Sequence, residues 1–374
     1  MKLSILETLS ILILFLFIGY FLQRKISFLK DYYIPVPLIG GLLFSIISLI
    51  LGIRSIITFD FSALPIFTAG FFLSIGLRIN KALIKKGFKL QVTFLAITAA
   101  AALAENIISY AAGKTLGKTS AEIVITGSLG FMGDHNFAGS IPEFLISGKA
   151  YINELTALSV AALFISALAG GFIFKVLKRK TDLSENMIVP PPQFQPRELL
   201  QLVLVFTVGI SLALLPSNMG AGKFINPAGG GFIAGVLMRS LFDWSKFYSV
   251  KLPQVNLLGN FCLSMLLITN FSMFDLKVLL NLTVYNFTML LIQMLWISVL
   301  SYYVIFKIYG KNALASYTAS GLVGFSIGMP ASTMSTLQCI SEREGAIPMV
   351  LFIVPPVGAW IINVINLYLV PLFL

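Results

Sequence analysis

A chain of 374 residues that is 57% hydrophobic and only 11% charged excludes a water-soluble fold. Ordinary globular proteins carry roughly 25% charged residues, and 26 Lys and Arg with 15 Asp and Glu cannot cover the surface of so large an apolar chain. The net charge of +11 does not mark a nucleic-acid partner, because the basic residues stand in short clusters between apolar runs rather than in a stripe interleaved with aromatics. The remaining class is an all-α polytopic membrane protein.

Apolar runs able to cross, or nearly cross, ~30 Å of hydrocarbon fall at residues 5–22, 34–51, 62–78, 90–113, 153–175, 199–215, 225–240, 255–273, 284–306 and 347–370. The first is expected to be a span rather than a cleaved leader, because Glu7 lies ahead of it, Arg24 and Lys25 follow, and no small-residue cleavage site closes it. Cys262 and Cys339 lie in apolar stretches without metal-ligand spacing, so neither a disulfide framework nor a transition-metal site is expected.

Two more stretches, 121–147 and 313–340, are apolar but rich in Gly, Ser, Thr and Pro. They read as re-entrant hairpins, because irregular backbone at membrane depth survives only inside protein or against a watery cavity. The segment 176–197, with Lys178, Arg179 and Lys180 followed by Pro190, Pro191, Pro192 and Pro196, reads as a cytoplasmic linker. It divides the chain into 1–175 and 198–374.

The halves echo each other. Ile34-Pro35-Val36-Pro37-Leu38-Ile39-Gly40-Gly41 resembles Ile225-Asn226-Pro227-Ala228-Gly229-Gly230-Gly231, and Gly117-Lys118 precedes the first hairpin much as Gly310-Lys311 precedes the second. Each half is expected to hold five spans and one hairpin. An odd number of crossings inverts the second half relative to the first, an arrangement typical of secondary transporters. With both termini outside, 19 of the 26 basic residues fall on the inner side, among them Arg78, Lys81, Lys85, Lys86 and Lys89. That bias follows the positive-inside rule.

The first hairpin carries Ser128, Gly133, Asp134, His135 and Asn136, and His135 is the chain's one histidine. An ionisable pair at membrane depth is costly and points to a functional site, unless it merely caps a turn in water. In the second hairpin Ser326, Ser332, Thr333 and Ser335 supply clustered hydroxyls, suited to a hard monovalent cation or a substrate carboxylate. Close helix packing through small residues is the plainer reading. Gly324-Phe325-Ser326-Ile327-Gly328 also fits the nucleophile pattern of serine hydrolases, and Ser326 with His135 would make an intramembrane hydrolase. That motif needs a strand-to-helix turn, and no strand pattern precedes it. A passive channel would need a polar stripe along several helices, whereas polar residues here gather at the hairpins. Glu105, mid-run in the fourth span, must be paired, protonated or bound to a cation if it is buried. Asn363 and Asn366, three apart on one helical face, can present amide oxygens to a site or bond neighbouring helices.

The chain resembles the bacterial sodium/glutamate symporter family over nearly its whole length. The resemblance lies in Phe28-Leu29-Lys30 with Pro35, Pro37, Gly40 and Gly41; in Ser74, Gly76, Leu77, Arg78 and Asn80; in both hairpins; and most specifically in Gln338, Ile340, Glu342, Arg343 and Gly345 through Val354, Pro355 and Gly358. It implies an elevator-type transporter of ten helices in two inverted five-helix repeats. It further implies a homodimer in the bacterial inner membrane, moving sodium inward with glutamate or a related organic anion and using no other cofactor. His135, Asn136, Gly133, Ser332, Thr333 and Ser335 are then the expected substrate contacts. Asp134, Ser128, Ser326 and Asn363 are the expected sodium ligands. The family's usual Gly-Gly-His-Gly-Thr run stands here as Gly133-Asp134-His135-Asn136-Phe137, and its Gln-Asn pair in the fourth span as Glu105-Asn106. These departures leave proton coupling or another solute as the alternative.

Overall fold

The computed structural model describes residues 1–132, 149–181, 195–328 and 330–374, with the side chains of 149, 150 and 331 outside that description. The described residues form helices and no strand ladder beyond one isolated bridge, Lys2 with Thr58. In chain order the main helices are α1 (Ile5–Lys25), α2 (Val36–Ile50), α3 (Leu64–Arg78), α4 (Lys81–Thr115), α5 (Ser120–Ile125), α6 (Ser128–Phe131) and α7 (Lys149–Lys178). The second half continues with α8 (Pro196–Asn218), α9 (Pro227–Ser245), α10 (Leu252–Met273), α11 (Val284–Leu300), α12 (Ala313–Ser326), α13 (Pro330–Glu344), α14 (Pro348–Pro356) and α15 (Ile362–Leu369).

Each apolar run read from the sequence overlaps a helix. Seven helical stretches among the described residues are long and apolar enough to cross a membrane, which makes this a multi-pass membrane protein. The runs at 34–51, 62–78 and 225–240 are not among the seven. Helices α2 and α3 have 15 residues each, and at 1.5 Å per residue that is roughly 22 Å of helix. Helix α9 has 19 residues but carries Arg239 and Asp243, paired at 3.0 Å. Helix α7 runs on to Lys178 and α8 starts at Pro196, both within the bounds expected for the linker, and residues 182–194 lie outside the described residues.

Local sequence explains the helix ends. Ser4 accepts from the Glu7 amide and Glu7 answers with a bond from the Ser4 amide, capping α1. Thr119 and Glu122 repeat the device on α5, and Asn80, Asn226 and Asn312 cap α4, α9 and α12 through their side-chain oxygens. Two proline-started helices, α2 and α3, begin where the missing amide hydrogen costs nothing.

Two cores position the rest. Ala69, Leu73 and Leu77 of α3 pack with Leu202, Val205 and Phe206 of α8, Ala234 of α9 and Val255 of α10. Here α3 and α9 touch backbone to backbone: a Cβ at Gly76 would come within 2.5 Å of the Phe232 carbonyl oxygen and 2.8 Å of the Gly235 Cα. Only glycine permits that approach, as in small-residue contacts between membrane helices. The larger core gathers Phe94 and Ala102 of α4, Leu158, Leu163 and Phe174 of α7, Leu290 and Ile297 of α11, Leu322 and Phe325 of α12, Leu337 of α13 and Ile353 of α14.

Candidate functional site

Helices α12 and α13 form a tight antiparallel hairpin. The Tyr317 hydroxyl near its base donates to the Gly345 carbonyl at 2.6 Å, and near its tip a Cβ at Gly324 would lie 2.7 Å from Thr333 Oγ1. Glycine at 324 is therefore what lets the two helices close. The expected substrate hydroxyls are all buried and all donate to carbonyls: Ser332 to Leu163 at 2.8 Å, Thr333 to Gly321 at 3.2 Å and Ser335 to Ser332 at 2.8 Å. Thr336 and Ser320 likewise bond across to α7, at Ala167 and Gly170. Each such bond contributes about 1 kcal/mol and fixes the hairpin against α7. The Ser326 hydroxyl differs: it is fully buried and has no hydrogen-bond partner among the described residues.

The start of the first hairpin is held by a second polar group. Asn106 on α4 donates to the Ser128 hydroxyl at 2.8 Å and accepts from the Ser128 amide at 3.1 Å. That hydroxyl donates onward to Asn366 Oδ1 at 3.0 Å, and Asn366 Nδ2 donates to the Met132 carbonyl at 3.0 Å. Ser109 and Thr126 share a 2.5 Å hydrogen bond beside them. From α11, Gln293 Nε2 donates to the Glu105 carbonyl at 2.9 Å and reaches the Thr126 carbonyl at 3.4 Å. The expected Gly133, Asp134, His135 and Asn136 lie outside the described residues.

Asn363 lies one turn before Asn366 on α15 and serves a different space. It lines a cavity of about 610 Å³ between α3, the start of α9, α10, the start of α13 and α15. Thr68, Asn226, Asn270, Pro330 and Met334 also line it, and Lys223 at its rim is the one charged residue among its described walls. Asn226 caps α9 and donates to the Ala359 carbonyl at 2.8 Å, while Asn363 Nδ2 reaches the same carbonyl at 3.3 Å. Ala359 belongs to a π turn, Val357–Ile361, that follows Pro355 and Pro356. Prolines lack the amide hydrogen a helix needs. The Phe352 carbonyl, which Pro356 cannot serve, instead accepts from Gln91 Nε2 at 3.0 Å. Asn363 Oδ1, 5% exposed as a residue, has no hydrogen-bond partner among the described residues.

Of the expected site residues, the cavity wall includes Asn363 but not Ser332, Thr333, Ser335, Ser326 or Ser128. Sequence reasoning missed Asn226 and Lys223 as cavity residues. The signal was present in the Ile225-Asn226-Pro227 cap and the isolated lysine just before it. Asn106 and Asn366 were visible as polar residues in apolar runs, yet their meeting at Ser128 was not. Glu105 is fully buried, and neither carboxyl oxygen has a hydrogen-bond partner among the described residues.

At the opposite end of the second hairpin, Glu344 accepts from Lys178 Nζ at 2.6 Å and from the Tyr33 hydroxyl at 2.5 Å. Burial works against its charge, but these bonds outweigh burial and hold its carboxyl below the usual range. Arg343 donates to the Lys30 carbonyl, so the hairpin base is tied to both α7 and the corner before α2.

The sequence profile of a family described as sodium/glutamate symporter matches residues 1–188 and 193–346. A sodium/glutamate symporter of Escherichia coli K12 is 28% identical over 99% of this chain and 98% of its own length. One of Shigella flexneri matches to the same extent, and one of Haemophilus influenzae is 26% identical over 96% of this chain and 94% of its own. These relatives are named as transporters and not as enzymes, so the hydrolase reading of Ser326 with His135 falls away.

Proposed function

Because the chain belongs to the sodium/glutamate symporter family, we propose that it is a secondary active transporter that uses inward sodium movement to take up glutamate or a closely related organic anion. The observation that carries this reading is the cavity beside the second hairpin tip, whose one charged described wall residue is the cation Lys223 and which contains no carboxylate among those walls. A lysine at the rim draws an anion toward the space.

Sodium is the expected coupling ion. It prefers several neutral or weakly charged oxygens, and the unpartnered Asn363 Oδ1 and Ser326 Oγ are such oxygens. Ser128, whose hydroxyl already gives one bond and takes another, keeps one lone pair for an ion, and Asp134 would add charge. Substrate would meet Gly133, His135 and Asn136 from one hairpin and Ser332, Thr333 and Ser335 from the other. Those three side chains keep acceptor capacity, and the hairpin must open somewhat for them to face the cavity. Cation binding that orders the hairpins would strengthen anion binding by typically 1–3 kcal/mol.

In this reading residues 1–175 and 198–374 are inverted repeats of five spans each, joined by the cytoplasmic segment 176–197. The protein alternates access by moving the hairpin-bearing body in an elevator manner. It works as a homodimer in a bacterial inner membrane with both termini outside. Binding of labelled glutamate to the purified protein tests the assignment. Binding is expected to strengthen with sodium and not with potassium; binding indifferent to sodium would transfer the coupling role to another ion.

A further inference from the structure

Glu105 and Gln293 leave three buried acceptor oxygens facing no donor. Both residues are 0% exposed, and Glu105 Oε1, Glu105 Oε2 and Gln293 Oε1 have no hydrogen-bond partner among the described residues. The Gln293 amide cannot be reversed to relieve this. Its nitrogen donates to the carbonyls of Glu105 and Thr126, and a flip would set oxygen against both. An unpaired carboxylate inside a membrane protein is costly, and protonation of the carboxyl removes that cost.

From this arrangement we propose that Glu105 is a proton-binding site, its carboxyl carried in the protonated form. A metal cation fits less well, because the two carboxyl oxygens of one buried side chain fall short of a sodium shell. Neither Glu105 nor Gln293 lines the 610 Å³ cavity.

Among the described residues, the titratable groups on the packed elements do not supply a counter-charge. On α11 the Tyr285 hydroxyl sits 3.3 Å from Thr126 Oγ1, and on α5 Glu122 is paired with Lys118 at 2.9 Å. Tyr317 on α12 donates to the Gly345 carbonyl, Tyr368 on α15 is exposed, and Glu154 on α7 accepts from Asn286. Helices α6 and α14 carry no ionisable side chain, and on α4 itself Tyr110 is exposed beside Lys114.

The proton has a structural consequence. Gln293 grips both the Glu105 carbonyl and the Thr126 carbonyl, the latter at the turn into α6, so its orientation couples Glu105 to the neck of the first hairpin. Loss of the proton would put an unpaired charge on the residue whose carbonyl Gln293 holds. The inference rests on the chain being a transporter, but not on which solute it moves.

Infrared spectroscopy of the purified full-length protein tests it without any transport assay. At neutral pH, where exposed carboxyls are ionised, the wild type should show the carbonyl band of a protonated carboxylic acid, shifting in heavy water and missing from Glu105→Gln. Glu105→Asp should keep the band at a shifted frequency. If Glu105→Gln does not fold, the Glu105→Asp shift still decides. Absence of a protonated-acid band at neutral pH, or a band unmoved in Glu105→Asp and retained in Glu105→Gln, overturns the proposal. In proteoliposomes, uptake should decline toward alkaline pH in the wild type and stay level in Glu105→Gln; a parallel decline in both would also overturn it.

Discussion

Asn106 and Ser128 grip each other twice: the Asn106 amide donates to the Ser128 hydroxyl at 2.8 Å, and its oxygen accepts from the Ser128 backbone at 3.1 Å. The pair fastens the N-terminus of α6 to α4, and through Asn366 it reaches α15. Replacing Asn106 with Leu would strand the Ser128 amide in a buried place, where an unpaired group costs about 1–3 kcal/mol. The Asn106→Leu variant is expected to unfold at lower temperature in detergent. Asn106→Asp, which keeps the acceptor and loses the donor, should be affected in solution but differently: the amide bond survives while the Ser128 hydroxyl loses its donor. A Leu variant as stable as wild type would show that the pair is not holding the hairpin neck.

Asn363 has the opposite character, since its Oδ1 has no partner among the described residues and the residue borders the cavity. Asn363→Ala should leave thermal stability nearly unchanged and raise the sodium concentration needed for half-maximal uptake by about tenfold, the equivalent of one lost ligand bond of roughly 1.4 kcal/mol. Sodium titration of uptake at fixed solute checks it. An unchanged sodium dependence would remove Asn363 from the ion site.

Lys223 stands exposed at the cavity rim. Lys223→Gln is expected to raise the apparent KM for an anionic solute by a few-fold and to weaken the salt dependence of that KM, because a rim charge acts mainly by attraction through screened solvent. Equal effects on a neutral analogue would argue against an electrostatic role.

The Lys178–Tyr33–Glu344 cluster gives stability a pH dependence with a definite sign. Burial opposes the charge of Glu344, but the bonds from Lys178 and Tyr33 prevail and lower its carboxyl in the folded protein. Stability from this group is therefore complete above the unfolded carboxylate range and is lost as pH falls through the lower, folded value. Lys178 is partly exposed, with 40% of its side chain accessible, so the contribution is at most about 1 kcal/mol. Thermal unfolding followed from neutral to acid pH should show Glu344→Gln less stable than wild type at neutral pH and equal to it in acid. A constant gap across that range would contradict the assignment.

Helix positions were legible in the sequence because long apolar runs leave few alternatives, and the α12–α13 break was legible from Gly328 and Pro330. The partners of the polar residues were not. Asn366 meets Ser128 across 238 positions, and no local pattern encodes that contact. The hydroxyls of Ser332, Thr333 and Ser335 looked like site donors in sequence, yet each donates to a carbonyl, two of them holding the hairpin to α7 or to α12. Glu105 was visible as an acid in an apolar run; that neither of its oxygens has a partner among the described residues emerges only from packing. The cavity needed five helices from both halves and could not be read from any one of them.

Uptake of labelled glutamate into proteoliposomes under an imposed inward sodium gradient tests the central claim most directly. The account predicts accumulation above the outside concentration that collapses when an ionophore dissipates the sodium gradient. Uptake that never exceeds equilibration, or accumulation untouched by loss of the sodium gradient, would contradict it.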